Sequence, residues 1–120
     1  MFEIPVWDLL ASYSWDSKEL EFKWDVPPWF FDEFEFIRPL EMKLKIIWLD
    51  DWVDVVIEKI WTWVKFDWQV KFVNTWDIER RFKQTKDIND PDDIRYINMH
   101  WATIDMKEVI KEEILIQIMD

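Results

Sequence analysis

The chain has 120 residues with no cysteine and no glycine, and its 26 acidic and 15 basic side chains give a formal net charge of −11 at pH 7. This length suits a single domain, residues 1–120, and the lack of cysteine excludes a disulfide framework, a thiol nucleophile and a cysteine-based zinc site. The N-terminus lacks the pattern of a signal peptide and no apolar run approaches the roughly 20 residues that cross a bilayer, so we expect a cytoplasmic protein without membrane contact.

The first half of the chain predicts strands with one buried face. In "KELEFKWDV" (residues 18–26) apolar and charged positions alternate, and "EFEFI" (33–37) continues the pattern after a turn at Pro27-Pro28. The clearest strand is "LEMKLKIIW" (40–48). Its predicted apolar face holds Leu40, Met42, Leu44 and Ile46.

The next segment, "VDVVIEKI" (53–60), is ambiguous. A helix would place four of its apolar residues on one side: Val53, Val56, Ile57 and Ile60. The many β-branched residues and the preceding turn at Asp50-Asp51 favour a strand instead. We expect this strand to pair back on residues 40–49.

The middle of the chain predicts a hairpin and a further strand. "VKFDWQVKF" (64–72) alternates on both sides of a two-residue turn, Asp67-Trp68. Such a type I′ turn needs positive φ at both central residues, so Asp-Gly would fit it far better than Asp-Trp. "DIERRFKQT" (77–85) predicts a more polar strand, and "KDINDPDD" (86–93) predicts a polar loop.

The C-terminal segment, "TIDMKEVIKEEILIQIMD" (103–120), predicts the strongest helix. Asp105 is the expected cap, with Glu108 three residues later. One apolar stripe contains Met106, Val109, Ile110, Ile114 and Ile118. Before it, "IRYINM" (94–99) fits either a short strand or a helix capped by Asp90. The predicted fold is therefore α+β, a mainly antiparallel sheet or partly open barrel with a C-terminal helix.

Tryptophan occupies positions where glycine is expected. The chain has 11 tryptophans, and six of them adjoin an aspartate, as glycine commonly does in turns: Trp7, Trp15, Trp24, Trp52, Trp68 and Trp76. Reading each tryptophan as glycine restores an ordinary glycine content and turns "LDDWV", "FDWQV", "VNTWDI" and "PPWF" into common turn sequences. We hypothesise genetic code recoding, in which UGA codons for glycine were read as tryptophan. The alternative is a true tryptophan-rich protein, natural or designed, whose indoles fill a core or bind sugar.

Three segments carry a resemblance to a known family: "IPVWDLL" (4–10), "PLEMKLKIIWLDDWVDVVIEKIWTWVKF" (39–66) and "TIDMKEVIKEEILIQIM" (103–119). Together they resemble the YceD family of large-subunit ribosomal RNA accumulation proteins. The last follows the family's C-terminal helix in order, and the central segment fits better with glycine at 48, 52, 61 and 63. The resemblance implies a role in ribosome biogenesis and no established chemistry.

One family feature is missing from this chain. Many YceD-like relatives carry a Cys-x-x-Cys-Leu-like element after the central strands, whereas this chain has "WQVKF" at residues 68–72. Any metal or redox role of that element therefore does not carry over.

The residues do not predict an enzyme, a cofactor or a metal site. His100 is the only histidine and lacks a neighbouring nucleophile signature, so we interpret it as structural. Asp90, Asp92 and Asp93 resemble calcium ligands but lack the glycine and the distal glutamate of a calcium loop. No glycine-rich phosphate-binding spacing appears, even with glycine in place of tryptophan.

One basic cluster predicts a possible contact with RNA or a partner: Arg80, Arg81, Phe82, Lys83 and Lys86. An aromatic ring among cations can hold single-stranded RNA by stacking and charge. An edge strand protected by charge against aggregation explains the same residues equally simply.

The first functional hypothesis is a noncatalytic factor in large ribosomal subunit biogenesis. It would bind a basic ribosomal protein or an assembly intermediate (pre-50S particles), since an acidic surface suits basic partners and repels nucleic acid in general. Direct RNA contact is left open, and no DNA partner is expected. The alternative is an acidic phage-type inhibitor or DNA-mimic protein, or a designed tryptophan-rich domain.

Overall fold

The computed structural model describes residues 2–11, 15–50, 52–84 and 95–119. Within these residues the strands are β1 (Glu3–Pro5), β2 (Ser17–Trp24), β3 (Glu35–Phe36), β4 (Leu40–Leu49), β5 (Trp52–Phe66), β6 (Gln69–Thr75), β7 (Ile78–Lys83), β8 (Arg95–Tyr96) and β9 (Thr103–Asp105). The helices are α1 (Trp7–Leu10) and α2 (Lys107–Met119).

The principal sheet has the strand order β2-β4-β5-β7-β8, and both β3 and β6 also pair with β5. Strands β1 and β9 form a separate two-stranded sheet. Every described pairing is antiparallel except the short one between β7 and β8. The predicted α+β class with a C-terminal helix is confirmed, and the sheet is open rather than closed into a barrel.

The alternation in β2 and β4 positions one face of the sheet against the core. Every even-numbered residue of β4 from Leu40 to Trp48 is buried, whereas the intervening residues are half-exposed. Strand β2 pairs with β4 in register from Ser17↔Ile47 to Trp24↔Leu40. The predicted apolar face of β4 is therefore confirmed.

Strand β5 contains a bulge that explains its ambiguous sequence. Lys43 pairs with Lys59 and Leu44 pairs with Ile57, so Glu58 is an extra residue in β5. The buried apolar positions are odd-numbered before the bulge, through Ile57, and even-numbered after it, from Ile60. This change of phase produces the helix-like step of three from Ile57 to Ile60, because a bulge adds one residue to a period of two. Val56, the other residue of the helix-like set, is only half-buried. The predicted strand, pairing back on residues 40–49, is confirmed.

The hairpin between β5 and β6 has the predicted two-residue turn. Phe66 pairs with Gln69, and the two residues between them, Asp67 and Trp68, have φ of 50° and 64°. Positive φ at both central positions is the type I′ pattern. The side chain of Trp68 is 88% exposed at the tip of the hairpin.

Three other predicted glycine-like turns differ from this one. Trp52 begins strand β5, and neither Trp29 nor Trp76 has positive φ. In the turns that precede β5 and β7, an aspartate adopts the left-handed region instead: Asp50 has φ of 47° and Asp77 has φ of 59°. Aspartate tolerates this region because its short side chain can bond nearby backbone.

The predicted turns themselves are present. The N–H of Phe30 donates a 3.0 Å hydrogen bond to the oxygen of Pro27, so Pro28 and Trp29 are the two central residues, and the other two turns lie between β4 and β5 and between β6 and β7. Only the expectation of a glycine-like positive φ at the three tryptophans is wrong.

Helix α2 covers the core side of the sheet with the predicted stripe. Met106, Val109, Ile110 and Ile114 are completely buried, and Ile118 is 2% exposed. Asp105 caps the helix, because its Oδ1 accepts a 2.9 Å hydrogen bond from the N–H of Lys107. None of the described helices is long and apolar enough to cross a membrane.

Two other predictions concern the segment before α2. Residues 95–96 form the short strand β8, the first of the two predicted alternatives. The predicted polar loop at 86–93, with Asp90, Asp92 and Asp93, lies outside the described residues.

Candidate binding surfaces

The predicted basic cluster lies on strand β7, whose side chains alternate between the two faces of the sheet. Ile78, Arg80 and Phe82 share the core face, and Arg81 lies on the opposite face with its register partner Asp54. Alternation therefore separates residues that are neighbours in sequence. The described part of the cluster, residues 80–83, is therefore not one continuous cationic patch.

Arg80 is neutralised by helix α2. Its guanidinium donates to the carboxylate of Glu113, which is 9% exposed. The same guanidinium donates a 2.8 Å hydrogen bond to the main-chain oxygen of Glu79. Because a buried carboxylate needs a partner, this ion pair is structural and attaches α2 to the sheet.

Arg81 is neutralised on the other face. Its Nε donates a 2.8 Å hydrogen bond to Asp54, which is 6% exposed, and its guanidinium lies 4.3 Å from the ring centre of Trp52. The hydrogen bond with Asp54 raises the pKa of Arg81 above its ordinary value. Arg81 thus forms an ion pair with a buried carboxylate, and its guanidinium is not available to a phosphate.

Phe82 and the lysines complete the predicted cluster. Phe82 is 2% exposed and belongs to the core. The expectation that a base stacks on its ring is therefore wrong, because the ring is buried. Lys83 is half-buried, and its main-chain oxygen accepts a 2.8 Å hydrogen bond from the N–H of Ile97. Lys86 lies outside the described residues.

A second surface, which the sequence did not suggest, lies on the solvent side of the sheet. It is a groove of about 680 Å³ between the β2–β4 pair, the β3–β4 connection and the β5–β6 hairpin. Its lining comprises Lys23, Ile37, Arg38, Pro39, Glu41, Trp61, Trp63 and Val70, and we call it the aromatic groove. Ligand sites typically have volumes of about 300–1,000 Å³.

Strand register positions the rings of the aromatic groove. Trp61 pairs with Glu41 on one side and Asn74 on the other, and Trp63 pairs with Phe72. The ring centre of Phe72 lies 5.5 Å from Trp61 and 4.9 Å from Trp63, at interplanar angles of 78° and 44°. These edge-on and tilted contacts fix both indoles on the solvent side of the sheet, where each is half-buried.

Main-chain hydrogen bonds attach the other wall to β5. The N–H of Ile37 donates to the oxygen of Trp63 at 3.0 Å, and the hydroxyl of Thr62 donates to the oxygen of Arg38 at 3.1 Å. Thr62 is completely buried, so this bond fixes the backbone of Arg38 while its side chain stays exposed.

The charge balance of the aromatic groove is opposite to that of the whole chain. Lys23 and Arg38 line it, and the Nζ of Lys59 lies 5.9 Å from the ring centre of Trp61. Glu41 is the carboxylate among its lining residues. Within the described part of the chain, none of these four groups forms an ion pair.

One sequence signal could have located this groove. "WTW" at residues 61–63 has the period of two that places both rings on one face of a strand. The same letters supported the glycine interpretation, which treated the rings as absent. The sequence also could not show that residues 37–39 lie beside this strand.

The remaining candidates are not gathered into a site. His100 is exposed, and its ring centre lies 4.7 Å from that of Trp101. Among the described residues, no three histidine, cysteine, aspartate or glutamate side chains are arranged to hold a metal ion.

Two exposed ion pairs join separate segments. Lys18 donates a 2.9 Å hydrogen bond to Asp8, and Lys111 lies 3.0 Å from Glu33. The hydrogen bond from Lys18 lowers the pKa of Asp8, and that from Lys111 lowers the pKa of Glu33. Reciprocally, the pKa of Lys111 is raised by its hydrogen bond to Glu33.

Comparison of the chain with protein-family models, curated proteins and solved structures found no match. The resemblance to the YceD family therefore stays a prediction, together with the function that it implies.

Proposed function

We propose that this chain is a noncatalytic factor in large ribosomal subunit biogenesis that binds a basic ribosomal protein or an assembly intermediate. The observation that supports it most directly is that three of the arginines are neutralised by carboxylates of the chain itself. Arg80, Arg81 and Arg95 are each paired with a carboxylate of the same chain, while the net charge is −11. Negative charge is therefore left in excess on the surface.

Part of this excess lies on strands β2 and β3 and on the connection between them. Glu19, Asp25, Asp32 and Glu35 are exposed and form no ion pair within the described residues. A field of this sign accelerates association with a cationic partner and weakens as salt rises. An assembly factor for basic ribosomal proteins would use these carboxylates.

The test is capture of partners from the source cells with the tagged protein, with and without ribonuclease. We expect ribosomal proteins or precursor particles to be recovered, and recovery to fall in a variant carrying Glu19→Gln, Asp25→Asn and Glu35→Gln. Glu108→Gln is the matched control, because Glu108 is an exposed carboxylate on helix α2. Recovery of a nuclease alone, with strong salt dependence, would favour the DNA-mimic alternative and contradict the proposal.

The glycine hypothesis is a separate proposal about the same protein. It is supported at Trp15 and Trp68, which have φ of 74° and 64° and are 76% and 88% exposed. It is also supported at Trp52, whose Nε1 is buried and has no hydrogen-bond partner among the described residues. Sequencing the gene tests it: UGA at these codons, in a genome that uses UGA at undisputed glycine positions, supports the hypothesis, and UGG contradicts it.

A further inference from the structure

We propose that the aromatic groove binds a short single-stranded RNA segment, with bases on Trp61 and Trp63 and phosphates on Arg38 and Lys23. This proposal goes beyond the protein partner proposed above. Its choice of RNA over DNA rests on the proposed function, because ring stacking and charge alone serve both nucleic acids.

The spacing of the rings suits successive bases. Trp61 and Trp63 are two residues apart on one strand, which places them about 6.6 Å apart along β5. Phe72 supports both rings from the neighbouring strand. Sheets that bind single-stranded RNA commonly stack two or three bases on aromatic side chains of their open face.

Charge selects an anion rather than a basic peptide for this groove. Lys23 and Arg38 line it without an ion-pair partner in the described chain, and Lys59 adds a third cation over Trp61. Only Glu41 opposes them among the lining residues. A cationic segment would meet these three groups, whereas a phosphate backbone complements them.

The same arrangement explains why β7 is not the RNA site. Arg80 and Arg81 already bond carboxylates, and the ring of Phe82 is 2% exposed. Arg38 is exposed, and its guanidinium forms no ion pair with any residue that the structure describes. Both indoles line the groove. Exposed cations beside aromatic rings, which the sequence predicted at residues 80–86, are therefore found in the aromatic groove instead.

The experiment measures the fluorescence anisotropy of fluorescein-labelled octauridine with the full chain at 50 mM and 200 mM salt. We expect saturable binding that weakens about tenfold or more in Trp61→Ala/Trp63→Ala, since base stacking on an aromatic ring is a large term. Arg38→Ala should weaken binding and reduce the salt slope by about 0.7. Glu41→Gln should tighten it, because it removes the opposing charge.

Trp76→Ala is the matched control, because Trp76 is 61% exposed and does not line the groove. It should leave the affinity unchanged. The proposed RNA binding needs the indoles of Trp61 and Trp63, so it applies to the chain with tryptophan at these positions and is incompatible with the glycine hypothesis at codons 61 and 63. Trp61→Gly/Trp63→Gly should therefore lose binding as the alanine variant does. Retained binding there would show that the rings are not the platform and overturn the proposal.

Other outcomes are equally decisive. The proposed site is wrong if the unaltered chain does not bind, or if Arg38→Ala and Glu41→Gln leave the affinity unchanged. Neither variant alters a core residue, so both should fold. Equal affinity for octathymidine keeps the groove but overturns the choice of RNA. Capture of ribosomal proteins after ribonuclease treatment should survive the groove variants, so the two proposals fail separately.

Discussion

Strand β7 and the aromatic groove contain the same kinds of residue but use them in opposite ways. On β7, Arg80 and Arg81 bond Glu113 and Asp54, and Phe82 is buried. In the groove, Arg38 has no ion pair in the described chain, and Trp61 and Trp63 line open space. Composition alone does not make a binding site, because strand parity and the neighbouring element decide which groups remain available.

The largest expected difference between the two regions is in their phenylalanines. Phe82→Ala should lower the free energy of unfolding by about 3–5 kcal/mol, because it leaves a cavity in the core. Phe72→Ala should cost far less, since Phe72 is 40% exposed. Urea unfolding measures both. Equal losses would contradict the assignment of one ring to the core and the other to a surface.

The arginines give the next difference. Arg80→Met should lower the free energy of unfolding by about 2 kcal/mol, because it leaves the carboxylate of Glu113 buried and unpaired. Replacing the partner as well, in Arg80→Met/Glu113→Leu, should restore most of the loss. Arg38→Met should stay within about 0.5 kcal/mol of the unaltered chain, since it breaks no ion pair. A large loss in Arg38→Met would mean that the groove cation is structural too.

The hairpin that carries the groove should gain stability from glycine at its tip. Trp68→Gly should raise the free energy of unfolding by about 1 kcal/mol, because a bulky residue is strained at φ of 64°. Trp76→Gly is the control and should bring no gain, since its neighbour Asp77 has the positive φ. Thermal unfolding compares the two. A loss in Trp68→Gly would weaken the glycine hypothesis at its best position.

The smallest effects should come from the exposed ion pairs, which contrast with the internal pairs of β7. The pKa of Glu33 is lowered in the fold, so its contribution is complete above its ordinary value of 4.5 and is lost as pH falls through the lowered pKa. The pKa of Lys111 is raised, so its contribution holds below 10.5 and is lost as pH rises through the raised pKa.

Thermal unfolding between pH 2 and pH 6, compared for the unaltered chain and Glu33→Gln, measures this contribution. The variant should lose a small part of the acid dependence, because exposed pairs contribute little. Glu19→Gln is the matched control, because Glu19 is exposed and forms no ion pair in the described chain. An unchanged acid dependence in Glu33→Gln would mean that the pair does not form in solution.

The sequence by itself determined the long strands β2, β4, β5, β6 and β7 and helix α2, because each depends on a local period. The sequence did not predict β1, β9 or α1, which are only three or four residues long. Alternation identified the buried face of β4, the hairpin identified its own turn, and the stripe through Ile110 and Ile114 identified α2. The ambiguous segment of β5 also fits a period of two when Glu58 is counted as the extra residue of a bulge. These features follow from the fixed geometry of strands and helices.

Only the tertiary structure decided which charged and aromatic groups are available for binding. Glu113 is far from Arg80 in sequence, and Arg38 lies beside Trp63 only because residues 37–38 hydrogen-bond to β5. Such contacts join segments that no local period relates, so the sequence placed the candidate site on β7 when the open groove lies between β2 and β6. Ion pairs with helix α2 and with strand β5 neutralised Arg80 and Arg81, whereas Lys23 and Arg38 stayed exposed.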